Sequence, residues 1–217
     1  MQLAIGELPR EDRSLLVAQS RTKRFLDVVL AAFALIVLLP LLVLIALAVM
    51  IDSGWPPLYS QMRTGFEGRE FRMWKFRTMV RNAEQMRADL LLLNEAPFPT
   101  FKIRNDPRVT RIGRFLRMSS ADELPQLWNV LVGDMSLVGP RPLFTQEANA
   151  LGPAARLRFQ ARPGVTCVWQ LSNRHSQQST FDDWLAKDVA YIETWSLWRD
   201  LVLIVKTFGA VVRMTGR

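Results

Sequence analysis

Apolar positions along the chain fall into one long run followed by short periodic stretches. No charged residue occurs between Val28 and Ile51. As a helix rising about 1.5 Å per residue, that run is long enough to cross a hydrocarbon core of about 30 Å. Pro40 stands near its middle, where the missing N–H removes a ladder bond and kinks or breaks a helix. Arg21, Lys23 and Arg24 precede the run, and Arg63, Arg69, Arg72, Lys75 and Arg77 follow it. Lysine and arginine mark the cytoplasmic side of a membrane segment. Both flanks are therefore expected on the cytoplasmic face, with the run re-entering as a helix–break–helix at Pro40. A kinked span is the alternative. Asp27, at the start of the run, is expected to pair with the nearby arginines.

The later patterns are shorter. Residues 8–24 are compatible with a short helix. Asp52 to Pro57 reads as a turn. Tyr59 to Met79 alternates enough (Phe71, Met73, Trp74, Phe76) to predict a hairpin with Gly65 and Gly68 in its turn. Its basic and aromatic strand suits either a membrane surface or a phosphate, through Lys75 or Arg77. Val80 to Glu95 predicts an amphipathic helix, and the proline-rich Ala96 to Pro107 a loop. Val109 to Met118 predicts a short basic helix with Ile112, Phe115 and Leu116 on one face, fit to lie on anionic lipid. A further helix is expected to about Val132, another over Leu143 to Gln160, and a short strand over Val165 to Leu171. A polar loop containing Arg174 and His175 follows, then helices over Phe181 to Ile192 and Trp195 to Met214. Trp195 and Trp198 suit an interfacial position or plain core packing equally. The sum is a mainly helical α+β chain: a membrane element, interfacial amphipathic helices and a small cytoplasmic domain with short strands.

Length and charge narrow the chemistry. A chain of 217 residues suffices for one domain with a real core. Its net charge of +8 with one histidine points to anionic partners: nucleic acid, anionic lipid or a phosphorylated substrate. The lone Cys167 excludes an intrachain disulfide. One histidine and one cysteine argue against zinc sites and Ser-His-Asp catalysis. Any metal is expected to be a hard cation such as Mg²⁺, held by carboxylates and phosphate.

The stretch from Thr110 to Pro142 holds the densest chemistry. Asp122 and Glu123 are adjacent, preceded by Arg111, Arg114 and Arg117, and followed by Gly139-Pro140-Arg141-Pro142. Arginines can hold a phosphate while a carboxylate attacks it or ligates a metal. Ser120 with Glu123 also fits a capping box, which taken alone is the commoner explanation. Pro125 opposes a helix starting at Ser120, since it would then break the ladder. A start at Ala121 or Asp122 keeps Pro125 in the first turn and puts both carboxylates at a helix N-terminus, a place suited to anions.

These blocks together resemble the bacterial sugar transferases, the monotopic phosphoglycosyl transferases. The matching stretches are Lys23-Arg24-Phe25-Leu26-Asp27 before the proline-interrupted run, Lys75-Phe76-Arg77-Thr78-Met79, Asn105-Asp106-Pro107-Arg108-Val109-Thr110, the stretch from Asp122 to Val130, the stretch from Gly133 to Pro142, and Arg162-Pro163-Gly164. They run in order over nearly all of residues 21–215. The resemblance implies transfer of a phosphosugar from a UDP-sugar to polyprenyl (undecaprenyl) phosphate, with release of UMP. This initiates a polysaccharide or glycoconjugate at the bacterial inner membrane. It implies Asp122 as the nucleophile of a covalent phosphosugar intermediate, Glu123 as its partner (Mg²⁺ ligand or proton acceptor), and Mg²⁺ held through Asp122 and Glu123. Arg141 is implied to bind phosphate, with Lys75, Arg174 and Arg77 nearby.

Two departures stand out. Leu39 precedes the proline where many members carry Ser. The segment from Val165 to Arg174 resembles a subgroup linked to transfer of hexose-1-phosphates such as glucose or galactose. The expected layout is a cytoplasmic segment over 1–22, the re-entrant helix over 23–52 broken at Pro40, and a cytoplasmic catalytic domain over 53–217. A minimal form is expected, without the extra N-terminal membrane helices of longer members. The expected partners are the donor, the prenyl phosphate and the bilayer, with no nucleic acid; a homo-oligomer is compatible. A basic membrane-anchored scaffold binding anionic lipid is the alternative. It explains the charge but not a carboxylate dyad among arginines. A lipid kinase or nucleotidyltransferase would need a glycine-rich phosphate loop, and none is visible.

Overall fold

The structure, a computed structural model, describes residues 20–95, 103, 105–149, 151, 153–172 and 181–212. The expected helix over 8–24 and loop over 96–107 lie largely outside them, and Arg174 and His175 entirely so.

The apolar run forms α1, a 33-residue helix over Arg21–Ser53. Ser20 caps it by accepting from the Lys23 N–H at 3.2 Å. The expected break at Pro40 is not there: the helix continues through it. A proline removes one N–H from the ladder, and here the segments on both sides of it are packed on the same domain. Lys23, Asp27 and Ala31 are buried near one end, Ile45 and Val49 near the other. Their spacing keeps one helical stripe inward. Phe25, Phe33, Ile36, Val37, Leu44 and Ile51 remain exposed on the rest of the surface, and the helix is long and apolar enough to cross a membrane.

The hairpin forms as expected from β1 (Leu58–Thr64) and β2 (Glu70–Phe76), antiparallel with Arg63 opposite Phe71, Gln61 opposite Met73 and Tyr59 opposite Lys75. Directly opposed residues share a face, so Arg63 and Lys75 lie on the same side of the hairpin. The expected helix over 80–95 is replaced by turns and two single 3₁₀ turns, Gln85–Arg87 and Leu91–Leu93. Leu91, Leu92 and Leu93 are exposed, and a short helix without packing is marginal.

The basic helix α2 spans Arg111–Ser119, capped by Thr110. Gly113 lets it press on the chain after β2, since a Cβ there would overlap the Thr78 carbonyl. A 3₁₀ turn over Ala121–Glu123 leads to α3 (Gln126–Val132). β3 (Ser136–Val138) pairs in parallel with β4 (Gly164–Thr166). The two backbones touch where Gly164 meets Gly139, leaving no space for a Cβ on either.

Three further expectations are corrected. The helix over Leu143 to Gln160 is divided into α4 (Thr145–Asn149) and a 3₁₀ segment over Pro153–Gln160; Pro153 cannot continue an α-helical ladder. The strand over Val165 to Leu171 ends at Thr166, because β3 is only three residues long, and α5 (Val168–Ser172) follows. Asp27 pairs with Lys23 rather than with arginine, at 3.8 Å, and accepts from Ser136 Oγ at 2.7 Å and the Leu137 N–H at 3.1 Å. Helices α6 (Phe181–Glu193) and α7 (Leu197–Val212) form as expected over the described residues.

Core clusters join these elements. Ala31 of α1 packs with Phe71, Met73, Leu127, Val130 and Met135. Ile45 and Val49 pack with Phe76 and Leu116. A polar tie joins α1 to α7: Lys23 Nζ meets Asp200 at 2.6 Å, and Asp200 also accepts from Tyr191 and Trp195. Both halves of α1 are thus fastened to the hairpin–helix domain.

Candidate active site

The turn carrying the dyad is built by what surrounds it. Ser120 ends α2 in the left-handed conformation, φ 57°, and its N–H closes onto the Leu116 and Arg117 carbonyls. Its side chain makes no capping bond to the turn that follows, so the capping box does not form. Pro125 sits at the N-cap of α3, where no ladder N–H is required of it. The carboxylates therefore sit on a tight turn between two helices rather than in the first turn of one. Asn129 staples α3 to β2: its amide donates to the Arg72 carbonyl at 2.7 Å and its oxygen accepts from the Trp74 N–H at 3.1 Å. That brings Lys75 to the dyad.

Lys75 Nζ donates to Glu123 Oε1 at 2.7 Å. Asp122 is buried behind this pair. Burial pushes its carboxyl up to about 6, opposed by the positive charge of Lys75 and reinforced by Glu123, with Arg117 also lowering it. Its folded form keeps a proton to higher pH than the unfolded chain. The stability this provides is present below the usual 3.8 and lost as pH rises towards about 6. Arg117 is steadied by Thr78, to which its Nε donates at 2.9 Å.

A polar cleft opens beside the turn, lined by Arg63, Lys75, Glu123, Gln126, Arg141 and Gln170 among others. Of the residues expected at the site, Glu123, Lys75 and Arg141 line it together; Asp122, next to Glu123 in the chain and buried, is not part of the lining. Arg77 does not join them. β2 ends at Phe76, and the Arg77 guanidinium reaches instead to the Gly54 carbonyl at 3.4 Å, beside the end of α1. Arg174 lies outside the described residues.

The structure adds residues that the one-dimensional pattern did not single out. Arg63 enters the cleft because its alternation on β1 matches that of Lys75 on β2; fixing the hairpin register would have revealed it. Behind Arg141, the buried Arg158 and Asp188 pair at 2.5 Å. Arg158 also donates to the Arg141 carbonyl, and Asp188 accepts from the Arg141 N–H.

Among the described residues no group of three or more His, Cys, Asp or Glu side chains could hold a metal. Asp122 and Glu123 form a two-carboxylate donor set. That suits Mg²⁺, which takes one or two carboxylates and completes its shell with phosphate oxygens and water.

The family model for bacterial sugar transferases matches residues 18–214. The chain is 42% identical over 194 residues to the galactosyl transferase CpsE of Streptococcus agalactiae serotype III (strain NEM316), covering 89% of this chain but 43% of that protein. It is 38% identical over 213 residues to the exopolysaccharide production protein ExoY of Sinorhizobium fredii (strain NBRC 101917 / NGR234), covering 96% of this chain and 93% of that one. It is 44% identical over 213 residues to the UDP-glucose:undecaprenyl-phosphate glucose-1-phosphate transferase of Caulobacter vibrioides (strain ATCC 19089 / CIP 103742 / CB 15), covering 95% of this chain and 73% of that one. The chain thus spans less than half the length of the streptococcal relative.

Proposed function

The chain belongs to the bacterial sugar transferase family, and from that premise we propose that it moves a hexose-1-phosphate from a UDP-sugar to undecaprenyl phosphate, releasing UMP. One observation carries the reading: a buried carboxylate, Asp122, beside a Lys75–Glu123 pair and an arginine-lined cleft. The relatives' names supply the donor and acceptor classes.

In the proposed reaction an Asp122 carboxylate oxygen attacks the phosphorus that bears the sugar. The new O–P bond forms as the bond to the UMP oxygen breaks, and UMP leaves. A phosphate oxygen of the lipid then attacks the same phosphorus, releasing Asp122 and yielding a polyprenyl-diphosphate sugar. Splitting the transfer in two lets a soluble donor and a lipid acceptor use the site in turn. Lys75 and Arg141 offset the charge that a carboxylate meets at a diphosphate. Asp122 and Glu123 would hold Mg²⁺, which supplies further neutralisation of the phosphate oxygens. UMP release from a panel of UDP-sugars, with undecaprenyl phosphate and Mg²⁺, tests the reading. No release from any sugar by folded, membrane-bound protein would overturn it.

A pH dependence follows from the position of Asp122. The attacking form is the carboxylate, so the rate is expected to rise with pH and level off above a midpoint near the carboxyl's value of about 6. Lys75→Gln removes the largest charge that holds this value down, and should move the acid limb to higher pH. A pH–rate profile of UMP release checks both points; an acid limb that stays put in Lys75→Gln would contradict the coupling.

We further propose that α1 bends at Pro40, whose missing N–H weakens the ladder there without ending the helix, and so enters and leaves the cytoplasmic leaflet of the inner membrane without crossing it. Both of its halves pack on one domain, and its exposed surface is apolar. Thr22→Cys and Ser53→Cys are expected to resist an impermeant thiol reagent added to intact cells, against a low background because Cys167 is buried. Labelling of the two from opposite faces would refute re-entry.

A further inference from the structure

Arg63 presents an unsolved charge problem in the fold. Its side chain is on β1, and the residue is only 7% exposed. Among the described residues it forms no ion pair. Its Nη2 donates to Gln61 Oε1 at 2.7 Å and its Nη1 to the Pro142 carbonyl at 3.3 Å, while its buried Nε finds no acceptor. The guanidinium lies 3.3 Å from the centroid of the Phe144 ring, which fixes its plane. Burial and the positive charge of Arg141 both disfavour its charged form. Glu147, a buried carboxylate whose charge favours the cation, accepts from the Phe144 N–H at 2.9 Å. Glu123 favours the cation as well, but a cation taken out of water with no carboxylate in direct ion-pair contact is unfavourable.

The cleft shows what would relieve it. Its charged lining is Arg63, Lys75, Arg141 and Glu123. Lys75 already has a carboxylate partner, Glu123, at 2.7 Å. That leaves two arginines facing the cavity, and neither forms an ion pair among the described residues. Two guanidinium groups with free N–H donors at one cleft match a ligand with two adjacent negative charges, and the planar fork suits phosphate oxygens.

Resting on the transferase reading for the identity of the donor, we infer that Arg63 binds substrate: with Arg141 it grips the diphosphate oxyanions of the nucleotide sugar. Phe144 and the Pro142 carbonyl hold the guanidinium in place, so its orientation is set before substrate arrives. A purely structural arginine would be expected to carry its own carboxylate.

The experiment uses the full chain in detergent, titrated with inorganic pyrophosphate without divalent cation, and follows the thermal midpoint. Wild type should be stabilised as pyrophosphate is added. Arg63→Met should keep an unliganded midpoint at or above that of wild type, because an unpaired buried cation is removed, and should lose the pyrophosphate response. Arg63→Lys, which keeps charge but not the fork, should weaken the apparent affinity at least about tenfold. Arg72→Gln, which removes an exposed charge from the same hairpin, should respond as wild type does. The inference is overturned if wild type shows no response, or if either Arg63 variant binds pyrophosphate within twofold of wild type. It is also overturned if Arg72→Gln weakens binding as much as Arg63→Lys, since net charge alone then explains the effect. Failure of both Arg63 variants to fold makes the residue structural and equally overturns it. UMP release by wild type is scored separately, so a wrong donor class is not mistaken for a wrong arginine.

Discussion

Asp122→Asn is expected to abolish UMP release, by on the order of 10⁴-fold or more, because an amide oxygen cannot replace the attacking carboxylate. The substitution is nearly isosteric and removes a carboxyl whose charged form is disfavoured by burial. Folding and membrane binding should therefore be retained, with a thermal midpoint at or above that of wild type near neutral pH. Incubation with donor alone separates a nucleophile from a binding residue. Wild type should gain the mass of a phosphohexose, located to the peptide carrying Asp122, and the variant should gain none. An Asn variant that keeps a tenth of wild-type turnover would sink the assignment. So would a phosphohexose found on another residue.

The second large effect is expected at the buried pair behind Arg141. Arg158 is 2% and Asp188 1% exposed, and burial pushes the Asp188 carboxyl up to about 6 against the pull of Arg158. Asp188→Leu leaves a buried guanidinium without its partner, and breaking such a pair destabilises by about 3–5 kcal/mol. For a chain of this size that is roughly 10 °C in thermal midpoint. Replacing both, Arg158→Met with Asp188→Leu, should restore most of the stability, since an apolar substitute removes both desolvation penalties. Donor handling should not return with it. The pair brackets the Arg141 peptide, with Arg158 donating to its carbonyl and Asp188 accepting from its N–H. The double variant should therefore keep a raised KM for donor while its midpoint recovers. Recovery of both together would make the pair structural only; a single variant as stable as wild type would mean the pair contributes nothing.

Much of the candidate site could be read in one dimension because its residues are close along the chain. Asp122 and Glu123 are adjacent, and Arg141 stands in a distinctive Gly-Pro-Arg-Pro turn. The apolar run was legible for the same reason, since membrane-length helices are encoded by local composition. The errors fell where local signals compete with packing. Pro40 is a strong breaker in isolation, yet the helix continues through it with both of its halves seated on the domain. The 80–95 stretch has good helix formers but no surface to bury its leucines against, and it stays in turns. Arg77 looked equivalent to Lys75 two residues earlier until β2 was seen to end at Phe76.

By itself, then, the sequence determined the family, the apolar helix, the hairpin, the terminal helices and the carboxylate dyad, all of them features written in contiguous residues. Only the tertiary structure decided which cations meet the dyad. It brought Lys75 to Glu123 across 48 positions, turned Arg63 into the same cleft, and set Arg158 and Asp188 behind Arg141. The physical reason is that a charge's partners are chosen by burial and strand register. Those are long-range properties, and no local pattern of residues specifies them.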